Sequence, residues 1–195
     1  MNLGAFIRSV RLGEIDYAVR EAGNPNGQPL VLLHGLMDTG ASFEPLVAAM
    51  QAIEPDRYHY IAPDWRGHGA TTAINDSYWF PNYLLDLERL LDTLVGGGEP
   101  VTLIAHSMGG QVASLYAGTR PERISHLVTL DSLNVPDSSV TEMPNRYRRW
   151  LDAHARPPAE KVYDDLETAV SRIANRYPEL DDTTQRALAE QWTEA

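Results

Sequence analysis

The sequence contains no cysteine. That excludes a disulfide framework and thiolate chemistry, and it fits the reducing cytoplasm in which we expect the protein to work. No apolar run approaches the roughly 18 residues of a membrane span, and residues 1–10 lack an apolar stretch of signal-peptide length. The expectation is a soluble, intracellular protein with no membrane partner. Basic residues are scarce: Lys and Arg number 16 against 27 Asp and Glu, for a formal net charge of −11. An acidic surface argues against nucleic acid or an anionic membrane as a partner. His-Glu-x-x-His and paired-cysteine spacings are missing too. Asp64 and His68 stand four apart, but in a glycine-bearing loop rather than on one helix face. Neither a metal nor another cofactor is expected.

What is present is enough for one substantial core: 195 residues, 43% of them hydrophobic. The chain is organised around residues 101–119. Val101 to Ile104 read as a buried strand, and Val112, Leu115 and Tyr116 recur at helical spacing. Ser107 falls between them, in Ala105-His106-Ser107-Met108-Gly109. This is the arrangement of a nucleophile elbow, G-x-S-x-G, with Ala in place of the first glycine. A strand-to-helix turn that merely contains a serine is the bland alternative.

Upstream, residues 6–12 and 14–20 read as a hairpin of two antiparallel strands turning at Gly13. Leu30 to Leu33 form a continuous apolar run, as in a parallel strand buried on both faces. His34-Gly35-Leu36-Met37-Asp38 follows. Ser42 is the expected cap of a helix with Pro45 in its first turn. Residues 58–62 make the next strand, and Asp64 to Gly69 a loop. Residues 78–95 form a helix stopped by Gly96-Gly97-Gly98. Residues 123–130 form a last strand, ending at Asp131. Alternation of strands and helices predicts an α/β fold, a doubly wound, mostly parallel sheet of about six strands with helices on both faces. In such sheets chemistry gathers at the carboxyl ends of the strands, where His34, Asp64, Ser107 and Asp131 fall. After Pro136 only helices are expected, over residues 140–155, 159–177 and 183–192, with Asp182 and Gln185 as a capping pair for the last. The division is a core over 1–135 and a helical cap segment over 136–195. The stripe Tyr147, Trp150, Leu151 and His154 either lines a pocket or packs as an ordinary helix face.

Three segments together, His34-Gly35, Asp64 to Gly69 and Ala105 to Gly109, resemble the α/β-hydrolase superfamily, in their order and spacing along its first strands. The helices after residue 136 look like the cap that many members insert. The elbow, the His34-to-Asp38 segment and the start of the cap are most similar to serine hydrolase-like proteins. The resemblance implies an esterase-type serine hydrolase acting on a small-molecule acyl substrate. Ser107 would be the nucleophile, and the backbone N–H groups of Met108 and Leu36 the oxyanion hole. His34, Gly35 and His106 would support the site, and the Asp64 loop would brace it. Asp131 is the candidate triad acid, with a turn cap as its plain alternative. Epoxide opening and dehalogenation fit less well, because similar family members doing that chemistry carry Asp at the elbow.

A serine nucleophile needs a base, and in this superfamily the histidine follows the serine and the acid. Downstream of Ser107 stand only His126, at the far end of its strand, and His154, in the cap segment. No seventh or eighth strand is legible. Three readings stay open. The chain is the N-terminal part of a longer hydrolase, ending inside its cap and pairing with a missing C-terminal segment or a second copy. It is a short, non-catalytic relative that binds a small molecule or a partner. Or it is an enzyme with an unusual base.

Overall fold

The computed structural model describes Leu3 and residues 7–72, 78–96, 98–132, 139–156 and 165–193. Six strands form one sheet: β1 (Ile7–Leu12), β2 (Ile15–Gly23), β3 (Gln28–Leu33), β4 (Tyr58–Pro63), β5 (Val101–His106) and β6 (Ile124–Leu130), in the order β1-β2-β4-β3-β5-β6. β1 and β2 pair antiparallel through the hairpin at Gly13, and β2 pairs antiparallel with β4. β4, β3, β5 and β6 run parallel. This is the α/β, mostly parallel architecture that the alternating pattern predicts.

The apolar runs are buried on both faces of the sheet because successive side chains alternate sides. Val31, Leu33, Ile61, Leu103 and Ala105 face α2 (Phe80–Leu94) and α3 (Ser107–Thr119), which contribute Leu87, Leu91, Val112 and Tyr116. Leu30, Leu32, Tyr60, Ala62 and Ile104 face the other way, onto Phe43 and Val47 at the start of α1 (Glu44–Ile53). Burial on this scale is the main stabilising contribution, about 25 cal/mol per Å² of apolar surface removed from water. A charged pair also crosses the core: Arg66 Nε and Nη2 donate to the Asp86 carboxylate at 2.5 and 2.6 Å, with both residues buried.

Several boundaries move. Ser42 does not cap α1. Thr39 Oγ1 accepts from the Ala41 N–H and caps a single 3-10 turn, Gly40–Phe43, which runs directly into α1. The Ser42 hydroxyl instead donates back to the Thr39 carbonyl at 2.9 Å. Arg123 belongs to a 3-10 turn, Pro121–Arg123, so β6 starts one residue later. In the C-terminal region α4 (Met143–Ala155), α5 (Leu166–Arg176) and α6 (Asp182–Thr193) are helical. Asp181, not Asp182, caps α6, accepting from the Thr184 N–H at 2.9 Å. Gln185 Nε2 turns away to donate to the Leu180 carbonyl at 2.7 Å. Phe6, Gly97, residues 133–138 and the expected helical stretch 159–164 lie outside the described residues.

α5 and α6 close a small core of their own around Ala169, Ile173 and Ala189. α4 meets the rest of the chain through aromatic contacts: Trp79, just before α2, stacks on Tyr147 with ring centroids 5.5 Å apart and meets Trp150 edge-on at 5.6 Å. Those two rings are thus used in helix packing, while Leu151 is exposed. At the sheet edge, β6 leaves Val128 and Leu130 45% and 41% exposed. No described helix is long and apolar enough to cross a membrane.

Candidate active site

Parallel strands β3, β4, β5 and β6 deliver their carboxyl ends to one side of the sheet, and the candidate residues follow from that. β5 ends at His106 and α3 begins at Ser107 with no intervening loop. The chain reverses within one residue, which forces Ser107 to φ +47°, a left-handed conformation that a non-glycine residue adopts only where the surroundings hold it. The neighbours must then be small. A Cβ on Gly109 would lie 2.4 Å from the Leu33 carbonyl oxygen, and one on Gly110 would lie 1.8 Å from Ser132 Oγ. Ala105 is tolerated where the elbow pattern has glycine: it is fully buried inside β5, paired with Leu33 and Thr129.

The segment after β3 lies across this elbow. A Cβ on Gly35 would sit 2.9 Å from His106 Nδ1 and 3.2 Å from Ser107 Cβ, so glycine sets how closely the two can approach. Leu36 is next, and the N–H of Leu36 donates to no described residue. Met37, at φ +57°, turns the chain back toward the sheet. Met108 is the second residue of α3, and its N–H belongs to the first turn, where a helix has no internal acceptor. Leu36 and Met108 therefore both bring main-chain donors to the Ser107 side of the sheet.

His34 is fully buried, and both ring nitrogens are occupied. Nδ1–H donates to the Gly35 carbonyl at 2.8 Å, and Nε2 accepts the Trp65 N–H at 2.8 Å. Trp65 Nε1 in turn donates to the His34 carbonyl at 2.9 Å. The bond received at Nε2 fixes a neutral ring, and burial pushes its pKa down from 6.5 to about 3. His34 thus clasps the β3 and β4 loops together. Its folded-state pKa lies below the unfolded one, so between about 6.5 and about 3 the unfolded chain binds more protons. Stability then falls as pH drops through that window, by up to about 1.4 kcal/mol per pH unit. His34→Gln should flatten the dependence of urea unfolding on pH relative to the unmodified chain. Parallel curves would contradict this. Asp64 acts with the opposite sign, its pKa being raised by burial, but it does so in both proteins.

Asp64 is buried and braces the same loops. Its carboxylate accepts the Gly40 N–H at 2.7 Å and the Ala70 N–H at 3.1 Å, with Arg20 Nε 3.8 Å away. Asp131 follows β6 directly. Leu130 is in register with His106, so Asp131 and Ser107 are the first residues beyond two adjacent strands. Asp131 also has positive φ, +46°.

No described residue hydrogen-bonds to the Ser107 hydroxyl. His106 packs its ring against Gly35. His68 bonds the Arg66 carbonyl and meets the His34 ring edge-on. His59 and His126 lie toward the amino ends of β4 and β6. His154 lies on α4, and its side chain is outside the described residues. Among the described residues, no three His, Asp or Glu side chains gather as a metal site would need.

The alpha/beta hydrolase fold family matches residues 28–193, which include every strand from β3 on and both loops of the site. This chain belongs to the alpha/beta hydrolase fold family. A serine hydrolase-like protein of Danio rerio is 31% identical over 176 residues, 86% of this chain and 52% of that protein. A 2-(acetamidomethylene)succinate hydrolase of Mesorhizobium japonicum is 27% identical over 94% of this chain and 60% of its own length. Among solved structures, a hypothetical protein of Pseudomonas aeruginosa PAO1 superposes with a TM-score of 0.79 at 30% identity, covering 95% of this chain and 64% of that one. This α/β hydrolase chain thus spans about half to two thirds of the length of these relatives.

Sequence reasoning overlooked two parts of the site. Trp65, which closes the clasp on His34, lies within the Asp64-to-Gly69 segment, but nothing in the linear pattern pairs it with a residue 31 positions away. A cavity of about 370 Å³ beside His106, lined by Asp38, Ser42, Phe43 and Leu46, is built from residues that the linear pattern assigns to a turn and a helix start.

Proposed function

We propose that this chain carries the nucleophile and oxyanion hole of a serine hydrolase that cleaves a carboxylic ester or related acyl bond. The observation that carries the reading is Ser107 at φ +47° between β5 and α3, with the Gly35-Leu36 segment against it. The Ser107 oxygen would attack the acyl carbon, and the alcohol or equivalent group would leave. Water would then release the acid from the acyl-enzyme. The N–H groups of Met108 and Leu36 would stabilise the negative charge that develops on the carbonyl oxygen, a contribution worth about 3–4 kcal/mol per donor in well-studied hydrolases. Gly35, His34 and His106 would hold those donors in place, and Asp131 would be the acid of the triad. No cofactor enters this chemistry. The names of the Danio rerio and Mesorhizobium japonicum relatives support hydrolysis without fixing the substrate. We place the reaction in the cytoplasm and take residues 136–195 as part of a cap over the site. The exposed edge of β6 would pair with a second copy or with a complementing segment, since unpaired apolar edges invite association.

One observation favours a second reading: among the described residues, none accepts the Ser107 proton. A non-catalytic member that binds a small molecule or a partner would keep the elbow as architecture alone. Turnover of p-nitrophenyl butyrate by the chain and by Ser107→Ala separates the two. The hydrolase reading expects the enzyme-dependent rate to disappear in the variant. Equal rates, or none in either protein under any condition, favour the binding reading.

A further inference from the structure

The cavity, an open cleft of about 370 Å³, lies at the carboxyl ends of β5 and β6, next to the elbow. Its apolar wall is Phe43, Leu46 and Leu130. Its polar wall is Asp38, Ser42 and His106. One Asp38 oxygen accepts the Thr39 N–H at 2.8 Å, and the other bonds to no described residue. The Ser42 hydroxyl spends its proton on the Thr39 carbonyl, so it presents lone pairs to the cavity. The His106 ring makes no hydrogen bond to a described residue, and neither lysine nor arginine is among the described residues lining the space. The cavity therefore offers an apolar surface and acceptors carrying negative charge. A carboxylate entering it would meet the Asp38 carboxylate without a counter-charge, and like-charge juxtaposition of this kind discriminates between ligands.

We propose that this cavity is a chain-binding subsite that selects an aliphatic group ending in a cation or a hydrogen-bond donor, and rejects one ending in a carboxylate. The preference follows from the lining alone. Calling the occupant the substrate's organic chain rests on Ser107 being the nucleophile.

Amide NMR of the intact chain at pH 8, titrated separately with hexyltrimethylammonium and hexanoate, tests the preference without requiring turnover. The ammonium ligand should shift amides at Asp38, Ser42, Leu46 and His106, and hexanoate should leave them unmoved. Asp38→Asn should weaken ammonium binding about fivefold, the upper end for a partly exposed charge pair. Ser107→Ala should bind like the unmodified chain. Hence esterase activity that survives Ser107→Ala, with ammonium binding retained, would remove the nucleophile and leave the subsite standing. Equal affinity for hexanoate, shifts confined to other residues, or unchanged ammonium affinity in a folded Asp38→Asn protein would each overturn the proposal.

Discussion

Imidazole added to the chain is expected to raise Ser107-dependent ester turnover by roughly tenfold or more. A positioned general base contributes about 10²–10⁴-fold, and a freely diffusing one recovers part of that. The expectation follows from where the described histidines are. His34 is locked between Gly35 and Trp65 with its pKa pushed down to about 3. His68 is bonded to Arg66, His106 packs on Gly35, and His59 and His126 lie away from the elbow. On the proposed mechanism Ser107 would therefore attack as a neutral hydroxyl unless a base is brought to it. In well-studied triad enzymes the oxyanion hole and binding alone retain roughly 10³–10⁴-fold acceleration over water, so a low background rate is expected before imidazole is added. The measurement is p-nitrophenyl butyrate hydrolysis against imidazole concentration, with Ser107→Ala subtracted to remove direct attack by imidazole on the ester. A high rate that imidazole leaves unchanged would place a base within the chain, and His154→Ala would then be the variant to lose activity.

Gly109→Ala is expected to destabilise the fold by about 3 kcal/mol, the upper part of the overpacking range. The new methyl would lie 2.4 Å from the Leu33 carbonyl oxygen and 2.6 Å from that of His34. Those oxygens belong to the end of β3, which is held between β4 and β5 and has no freedom to retreat. α3 must move instead, taking Ser107 and the Met108 N–H with it, so catalysis should fall together with stability. Gly118→Ala is the internal comparison. It lies in the same helix with nothing within 4 Å of the added carbon, and it should stabilise by up to about 1 kcal/mol. Urea midpoints of the three proteins check both signs. A Gly109→Ala midpoint equal to that of the unmodified chain would mean that α3 does not abut β3 as described.

The sheet was legible because continuous apolar runs such as Leu30–Leu33 occur where strands are buried on both faces, and glycines and prolines mark their ends. The position of Ser107 was legible for a related reason: a sharp turn between strand and helix demands small neighbours, and Ala105, Gly109 and Gly110 supply them. Caps were less legible. Ser42 and Asp182 have suitable side chains, but Thr39 and Asp181 hold the bonds, because a 3-10 turn and a one-residue shift move the helix starts. What escaped most completely was contact between residues far apart in sequence. The bond from the Trp65 N–H to His34 spans 31 positions. The cavity joins Asp38 and Ser42 to His106 and Leu130 only once β3 and β5 pair. No local periodicity encodes such a meeting, and it follows from strand order rather than from the residues one by one.

The reactivity of Ser107 is tested most directly by covalent capture. The chain is treated with a fluorophosphonate in the presence of imidazole, digested, and its adduct located by peptide mass spectrometry, beside Ser107→Ala treated identically. A single adduct on the peptide carrying Ser107, absent from the variant, is the expected result. Labelling of the variant to the same extent, or an adduct on another residue, would show that the elbow at the end of β5 does not hold a nucleophile.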